Sequence, residues 1–332
     1  MALYRTLLKG LRKFYSLVNR KQIDWRSDVL IDTSKSSQLI YDALNDNNPV
    51  MIGRYGGYEI MAVITYLSII SNNHSVKDFI KGVQYNWWWE KNLMYYMENN
   101  TGFFPADEKH LMEYGNLMIN DLRESDILGF TEITWSYSKY LDSLLANKIK
   151  LSLWSLEPWF SDDPWTRVLE GKRVLVVHPL VELMERQYLS NRTRIFSNNH
   201  ILPNFASLRT VKAVQSLGGI SDSYNDWFDA LKWMENEIDK EDFDIALIGC
   251  GAYGFSLAAH VKRIGKKAVH LGGALQLLFG IKGSRWEDPS FGVKEWGIPV
   301  GAYSNLMNEY WVRPDESSKP KNAQAVEGAC YW

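Results

Sequence analysis

The chain has 332 residues, 46% of them hydrophobic, enough to bury a large core in one elaborated domain or two closely joined ones. Its formal net charge of -2 gives no electrostatic case for nucleic acid. Its two cysteines, Cys250 and Cys330, make neither a disulfide framework nor a zinc site and suit a reducing cytoplasm.

Residues 1–22 set Leu3, Leu7, Leu8, Leu11, Phe14, Tyr15 and Val18 among Arg5, Lys9, Arg12, Lys13, Arg20 and Lys21, without an acid. The spacing predicts a basic amphipathic helix over about the first 30 residues. It lacks the uninterrupted apolar core of a signal peptide, and no later run is long enough to span a bilayer; residues 61–70 come nearest. Two placements are open: a peripheral contact with anionic lipid at the inner face of the cell membrane, or packing on the domain with a solvated basic face.

A capped helix is expected over residues 34–44, then a turn and a strand over 50–53. That strand runs into Arg54, Tyr55, Gly56, Gly57, Tyr58 and Glu59, with a helix from 60 to about 70. A charged pair at a Gly-rich strand-to-helix turn stands where α/β sheets place ligands, outside the carboxyl ends of strands. Arg54 and Glu59 are therefore candidate catalytic residues; the alternative is that they pair with each other or with neighbours. Residues 75–145 read as a mainly helical, aromatic-rich insertion containing Trp87, Trp88 and Trp89, with a strand over 127–130.

Residues 172–177, KRVLVV, read as a buried strand ending at His178, which makes this histidine a third catalytic candidate. Residues 186–197 are polar and basic and lead to Asn204. Arg194 there would complement a diphosphate, or else face solvent. An amphipathic helix follows over 222–238.

Residues 242–273 read as strand, Gly-rich turn, helix, strand. The first strand stops at Gly249, Cys250, Gly251, Ala252, Tyr253 and Gly254, a GxGxxG pattern where a phosphate-binding turn belongs. Glycines let backbone approach a ligand, and the helix N-terminus favours an anion such as a diphosphate. A nicotinamide domain expects an acid about 20 residues on, and the second strand ends instead in His270, followed by Leu271 and Gly272. The unit is thus read as the later half of a sheet begun upstream. The last stretch, 311–332, is polar and Pro-bearing but ends in aromatics, so it is expected to pack on the domain.

At these motifs the chain resembles the bacterial GT-D type glycosyltransferases, first catalogued as domain of unknown function 1792. The resemblance rests on GRYGGYE (residues 53–59), similar to that family's RFGDGE, on KRVLVVHP (172–179), on residues 201–204 and on the glycine unit, and covers about residues 35–275. It implies a Rossmann-like α/β sheet with flanking helices over 31–310, and sugar transfer from a nucleotide-sugar donor, with a DxE motif tied to metal and donor. Glu59 matches the Glu of that motif, Arg54 matches the preceding Arg, and Gly57 stands where the Asp would be.

The resemblance implies a nucleoside-diphosphate sugar donor, UDP-sugar favoured, against Gly56, Gly57, Tyr58, Arg194, Asn204, Gly249, Gly251, Tyr253, Gly254, His270 and Gly272. A divalent metal, Mn or Mg, would rest on Glu59 with another ligand, unless Arg54 and backbone N–H groups replace it. The acceptor would be a glycan or lipid-linked oligosaccharide in surface polysaccharide or glycoprotein assembly, at a cytoplasmic or peripheral location. The other readings are a nucleotide-cofactor oxidoreductase or epimerase using the same turn, and a non-catalytic nucleotide- or glycan-binding member of an assembly complex.

Overall fold

Seven short strands carry the architecture: β1 (Val50–Arg54), β2 (Ile127–Phe130), β3 (Ile149–Ser152), β4 (Arg173–His178), β5 (Ser207–Lys212), β6 (Ile245–Ile248) and β7 (Lys267–His270). The structure, a computed structural model, describes residues 2–19, 24–216, 218, 223–315, 319 and 328–332. Arg20, Lys21, Asp222, residues 316–318 and residues 320–327 of the sequence reading lie outside these. The strands form one parallel sheet in the order β3-β2-β1-β7-β6-β4-β5. Ile52 of β1 stands level with Ile127 on one side and Val269 on the other.

The central strands read as unbroken apolar runs because helices cover both faces, so alternation with polar residues has no use there. Every residue of β2 and β6 is buried. The edge strands β3 and β5 obey a different rule. Each borders one other strand, β3 having only a single-residue bridge from Leu30 on its outer side, and Ile149, Arg209 and Lys212 are exposed. Their mixed composition hides them from a search for apolar runs, and the sequence reading does not contain them.

The main helices are α1 (Ala2–Val18), α2 (Thr33–Asn45), α3 (Gly57–Ile70), α4 (Glu108–Glu124), α5 (Val181–Ile195), α6 (Trp227–Asp239) and α7 (Tyr253–Arg263). Carboxylates cap three of them: Asp32 accepts from the Lys35 N–H at 3.0 Å, Asp107 from His110 at 2.9 Å and Asp226 from Asp229 at 2.8 Å. Helix α3 begins at Gly57, earlier than the expected residue 60, so that Glu59 lies in its first turn.

The connections β1-α3-β2 and β6-α7-β7 step along the sheet in one direction, and β4-α5-β5 steps the other way. Right-handed crossovers therefore put α3 and α7 on one face and α5 on the opposite one. Helices α4 and α6 complete the first layer by packing on α3 and α7. The aromatic insertion supplies short helices at Val76–Lys81, which packs on α1, and at Lys91–Tyr96 and Glu132–Ser138, which pack on α3. In the described part of the tail, the Trp311 indole donates to the Ile195 carbonyl at 3.0 Å, and Val312 lies opposite Ile281.

This is the α/β, Rossmann-like sheet with flanking helices and a helical insertion. Its topology also fixes a site. The adjacent strands β4 and β6 send their chains in opposite directions, so their carboxyl ends part and leave a crevice uncovered.

Candidate functional site

A cavity of about 950 Å³, part of it open to solvent, occupies that crevice. It collects residues from the carboxyl ends of four strands: Arg54 (β1), His178 (β4), Gly249 after β6 and His270 (β7). Gly56, Glu59, Gly251, Tyr253 and Gly272 also line it. Nine residues that the sequence places in separate motifs thus meet around one space.

Arg54 and Glu59 face that space from either end of the β1-α3 turn. Among the described residues, no carboxylate lies within 4 Å of the Arg54 guanidinium, so the two do not form a salt bridge. The Glu59 carboxylate curls back over the helix N-terminus; a Cβ on Gly56 would lie 2.0 Å from its Oε2. Gly56 is thus the residue that gives the carboxylate its position. Burial pushes the Glu59 carboxyl above its ordinary value, partly offset by its own backbone N–H and by the Arg54 charge. A carboxyl so shifted is suited to taking up a proton.

Glu157, in the turns after β3, was not singled out from sequence. It is buried, accepts a 2.7 Å hydrogen bond from the Tyr303 hydroxyl, and is pushed up to about 8 by burial, against that bond and the Arg54 charge. Its signal is visible afterwards: it is the one acid in the apolar, Trp-bearing run SLWSLEPWF. Arg54 therefore sits within electrostatic reach of two carboxyls that burial biases towards the neutral form.

The two histidines are both buried, and burial pushes both down to about 3, so each is neutral at physiological pH. Their tautomers differ. The Leu180 N–H donates to His178 Nδ1 at 3.0 Å, which leaves the proton of the neutral ring on Nε2. His270 Nδ1 lies 3.3 Å from the Ile248 carbonyl and donates to it, which leaves Nε2 as an acceptor. His178 is thus a neutral hydrogen-bond donor at the cavity and not a base. Gly254 has no place in the lining. A Cβ there would fall 2.2 Å from the His270 ring, so this glycine makes room for the histidine.

The other glycines of the turn serve chain crossings. A Cβ on Gly249 would meet the Gly272 carbonyl at 2.4 Å, and Gly251 adopts φ +57° with the Thr101 carbonyl 3.0 Å from a Cβ position. Thr101 also accepts from the Ala252 N–H at 3.2 Å, so the aromatic insertion clamps the turn from above. Among the described residues, the N–H groups of Cys250 and Gly251 meet no acceptor. The Cys250 thiol is pushed far up by burial and is inert. Tyr253 stacks on Trp227 at 5.0 Å and shares a 2.7 Å hydrogen bond with Ser216, which makes it a wall of the cavity.

Besides Gly254, four expected donor-binding residues are not among those lining the cavity. Helix α5 starts beside His178 and runs back along the sheet for roughly 20 Å, so Arg194 near its end reaches the opposite edge, exposed and over Tyr310. Asn204 is there too: its carbonyl accepts from Gly171, just before β4. Tyr58 stacks on Tyr96 at 4.7 Å, and Gly57 faces open space in the first turn of α3. Asn100 to Gly102, Gln215, Ser216 and Gln276, which the sequence does not single out, fill the remaining wall together with Trp332 of the aromatic tail end. The Trp332 indole N–H has no partner among the described residues.

Among the described residues no group of three or more His, Cys, Asp or Glu could hold a metal ion. Glu59 is the one carboxylate of the cavity lining. Since Gly57 supplies no second oxygen ligand, these residues do not fit a protein-held divalent cation.

No family model matches the chain, and none of the curated proteins does. Among solved structures, the chain is similar to one described as "Selenomethionine substituted structure of domain of unknown function 1792 (DUF1792)", at 11% identity and a TM-score of 0.40. That match covers 92% of this chain and 99% of the other. It names the same domain as the motif resemblance, while the α/β assignment stands on strand order and register.

Proposed function

We propose that the chain transfers a sugar from a nucleoside-diphosphate sugar, a UDP-sugar first among them, to a hydroxyl of a glycan or lipid-linked acceptor. Surface polysaccharide or glycoprotein assembly is the setting the motif resemblance suggests. The observation that carries the reading is the convergence of an uncompensated cation, Arg54, with the open N–H groups of Cys250 and Gly251 in one cavity at the switch point. That combination suits a diphosphate.

In this reading the acceptor hydroxyl attacks the anomeric carbon of the donor sugar. The bond from that carbon to the diphosphate oxygen breaks, and its electron pair leaves with the nucleoside diphosphate. Arg54 and the turn N–H groups stabilise the charge that develops there, and the His178 Nε2–H adds a neutral donor. The hydroxyl proton passes to Glu59. No step is assigned to a metal.

Isothermal titration of UDP, GDP, CMP and NADH into the protein tests the reading. One nucleoside diphosphate binds, and Arg54→Ala weakens it by at least about tenfold, the scale of one charge-assisted hydrogen bond. Glu59→Gln keeps that binding and loses sugar transfer. Binding of NADH alone overturns the proposal.

A further inference from the structure

Helix α1 lies on the domain the opposite way from an ordinary amphipathic helix. Its contact face is narrow and partly cationic. Leu8 is buried against Phe79 and Trp88, Arg5 sits over the Trp88 ring, and Arg12 sits over Phe79 while donating to the Tyr140 hydroxyl at 2.7 Å. Cation–π contacts and the Arg12 hydrogen bond hold the helix down.

The broad apolar stripe faces outward. At about 100° per residue, Leu3, Leu7, Leu11, Phe14, Leu17 and Val18 fall within one arc of roughly 120°. Leu3 is 85% exposed, Phe14 and Val18 68%, and Leu7 and Leu17 60%. A water-soluble surface does not ordinarily group so many large apolar side chains; such a patch marks a surface that binds. Lys13 borders the stripe along one side, Lys9 lies farther round and pairs with Glu90 of the domain at 3.1 Å, and α1 contains no acid.

We infer that α1 is a docking surface for an anionic lipid bilayer, lying in the interface plane with its apolar stripe among the acyl chains. Lys13 then meets the headgroups. Charge decides between lipid and a second copy of the chain: pairing two stripes would bring like lysine edges together, whereas an anionic headgroup layer neutralises them. No described helix is long and apolar enough to cross a membrane, so the contact is one of lying on the surface. The inference does not depend on the transferase reading.

Sedimentation of the full chain with vesicles tests it. The protein pellets with phosphatidylcholine vesicles containing about a third phosphatidylglycerol, and less at high salt. Because each large apolar side chain contributes roughly tenfold or more, Leu7→Ser with Phe14→Ser lowers the affinity by on the order of 100-fold. Both sites are exposed, so the melting temperature stays unchanged. Lys13→Gln reduces the preference for anionic over neutral vesicles. Equal pelleting of the wild type and the double serine variant overturns the inference. So does a wild type that ignores vesicles but forms a dimer which that variant abolishes.

Discussion

Replacing Glu157 by Gln tests the electrostatics of the site through stability alone. In the fold its carboxyl titrates at about 8 against an ordinary value of 4.5, so the folded state keeps a proton that the unfolded chain releases. A raised folded value means that the contribution is whole below pH 4.5 and is lost as pH rises towards 8. At about 1.4 kcal/mol per pH unit, the loss between pH 5 and pH 7.5 is roughly 3 kcal/mol, a large share of a typical domain's stability. Gln keeps the shape and the carbonyl oxygen that accepts from Tyr303, but carries no titrating proton. His178 and His270, both held near 3, act in the opposite sense and add stability as pH rises to their ordinary 6.5. They are common to both proteins and cancel in the difference. Urea unfolding at pH 5 and pH 7.5 therefore gives a wild-type stability that falls, relative to the Gln variant, by about 3 kcal/mol. Parallel pH dependence in the two proteins would falsify the assignment of a protonated Glu157.

Two further substitutions probe the cavity wall. Gly254 lies in helix α7, where Ala is ordinarily better than Gly by about 1 kcal/mol. Here the new methyl would collide with the His270 ring, so Gly254→Ala lowers the urea midpoint, by about 1–3 kcal/mol in stability; a rise would show that the ring moves aside freely. Arg54 pulls Glu59 downward, so Arg54→Gln moves the acidic limb of the kcat profile for sugar transfer to higher pH. A limb that stays in place, or moves down, removes Glu59 as the titrating base.

The strands that build the site were legible because each is buried on both faces and leaves an unbroken apolar signature: Val50 to Gly53, Val174 to Val177 and Ile245 to Ile248. Their carboxyl ends named Arg54, His178, Gly249 and His270 by position alone. The edge strands β3 and β5 were not legible, since their composition follows solvent as much as core. Arg194 and Asn204 failed on direction: both follow β4 closely in sequence, but a helix antiparallel to the strand carries the chain to the far edge of the sheet. Glu157, Tyr303 and Trp332 reach the site or its surroundings through long-range packing that no local pattern encodes. The glycine turn reads in the sequence as a place where a ligand approaches the backbone, and what approaches Gly249, Gly251 and Gly254 in the structure is largely the chain itself: the Gly272 carbonyl, the Thr101 carbonyl and the His270 ring.

The charge state of the cavity follows from these contacts. An arginine beside two ionised carboxyls would be neutralised and of little use to an anion. Burial instead raises both Glu59 and Glu157, and at pH 7 the latter remains mostly protonated with its value near 8. The same burial keeps His178 and His270 neutral, so neither adds a competing positive charge. Arg54 is left as the cation of a site whose other polar groups are neutral donors and one shifted carboxyl. An arriving diphosphate would strengthen this arrangement on one side and disturb it on the other. It gives Arg54 its counter-charge and, as a nearby negative group, raises Glu59 further towards accepting a proton. Binding of the nucleoside diphosphate is therefore expected to draw a proton onto part of the Glu59 population, while the fraction left ionised becomes the stronger base towards the acceptor hydroxyl. Titration calorimetry in two buffers of different ionisation enthalpy reads that uptake directly; in Glu59→Gln it falls, and if it persists unchanged the proton is held elsewhere.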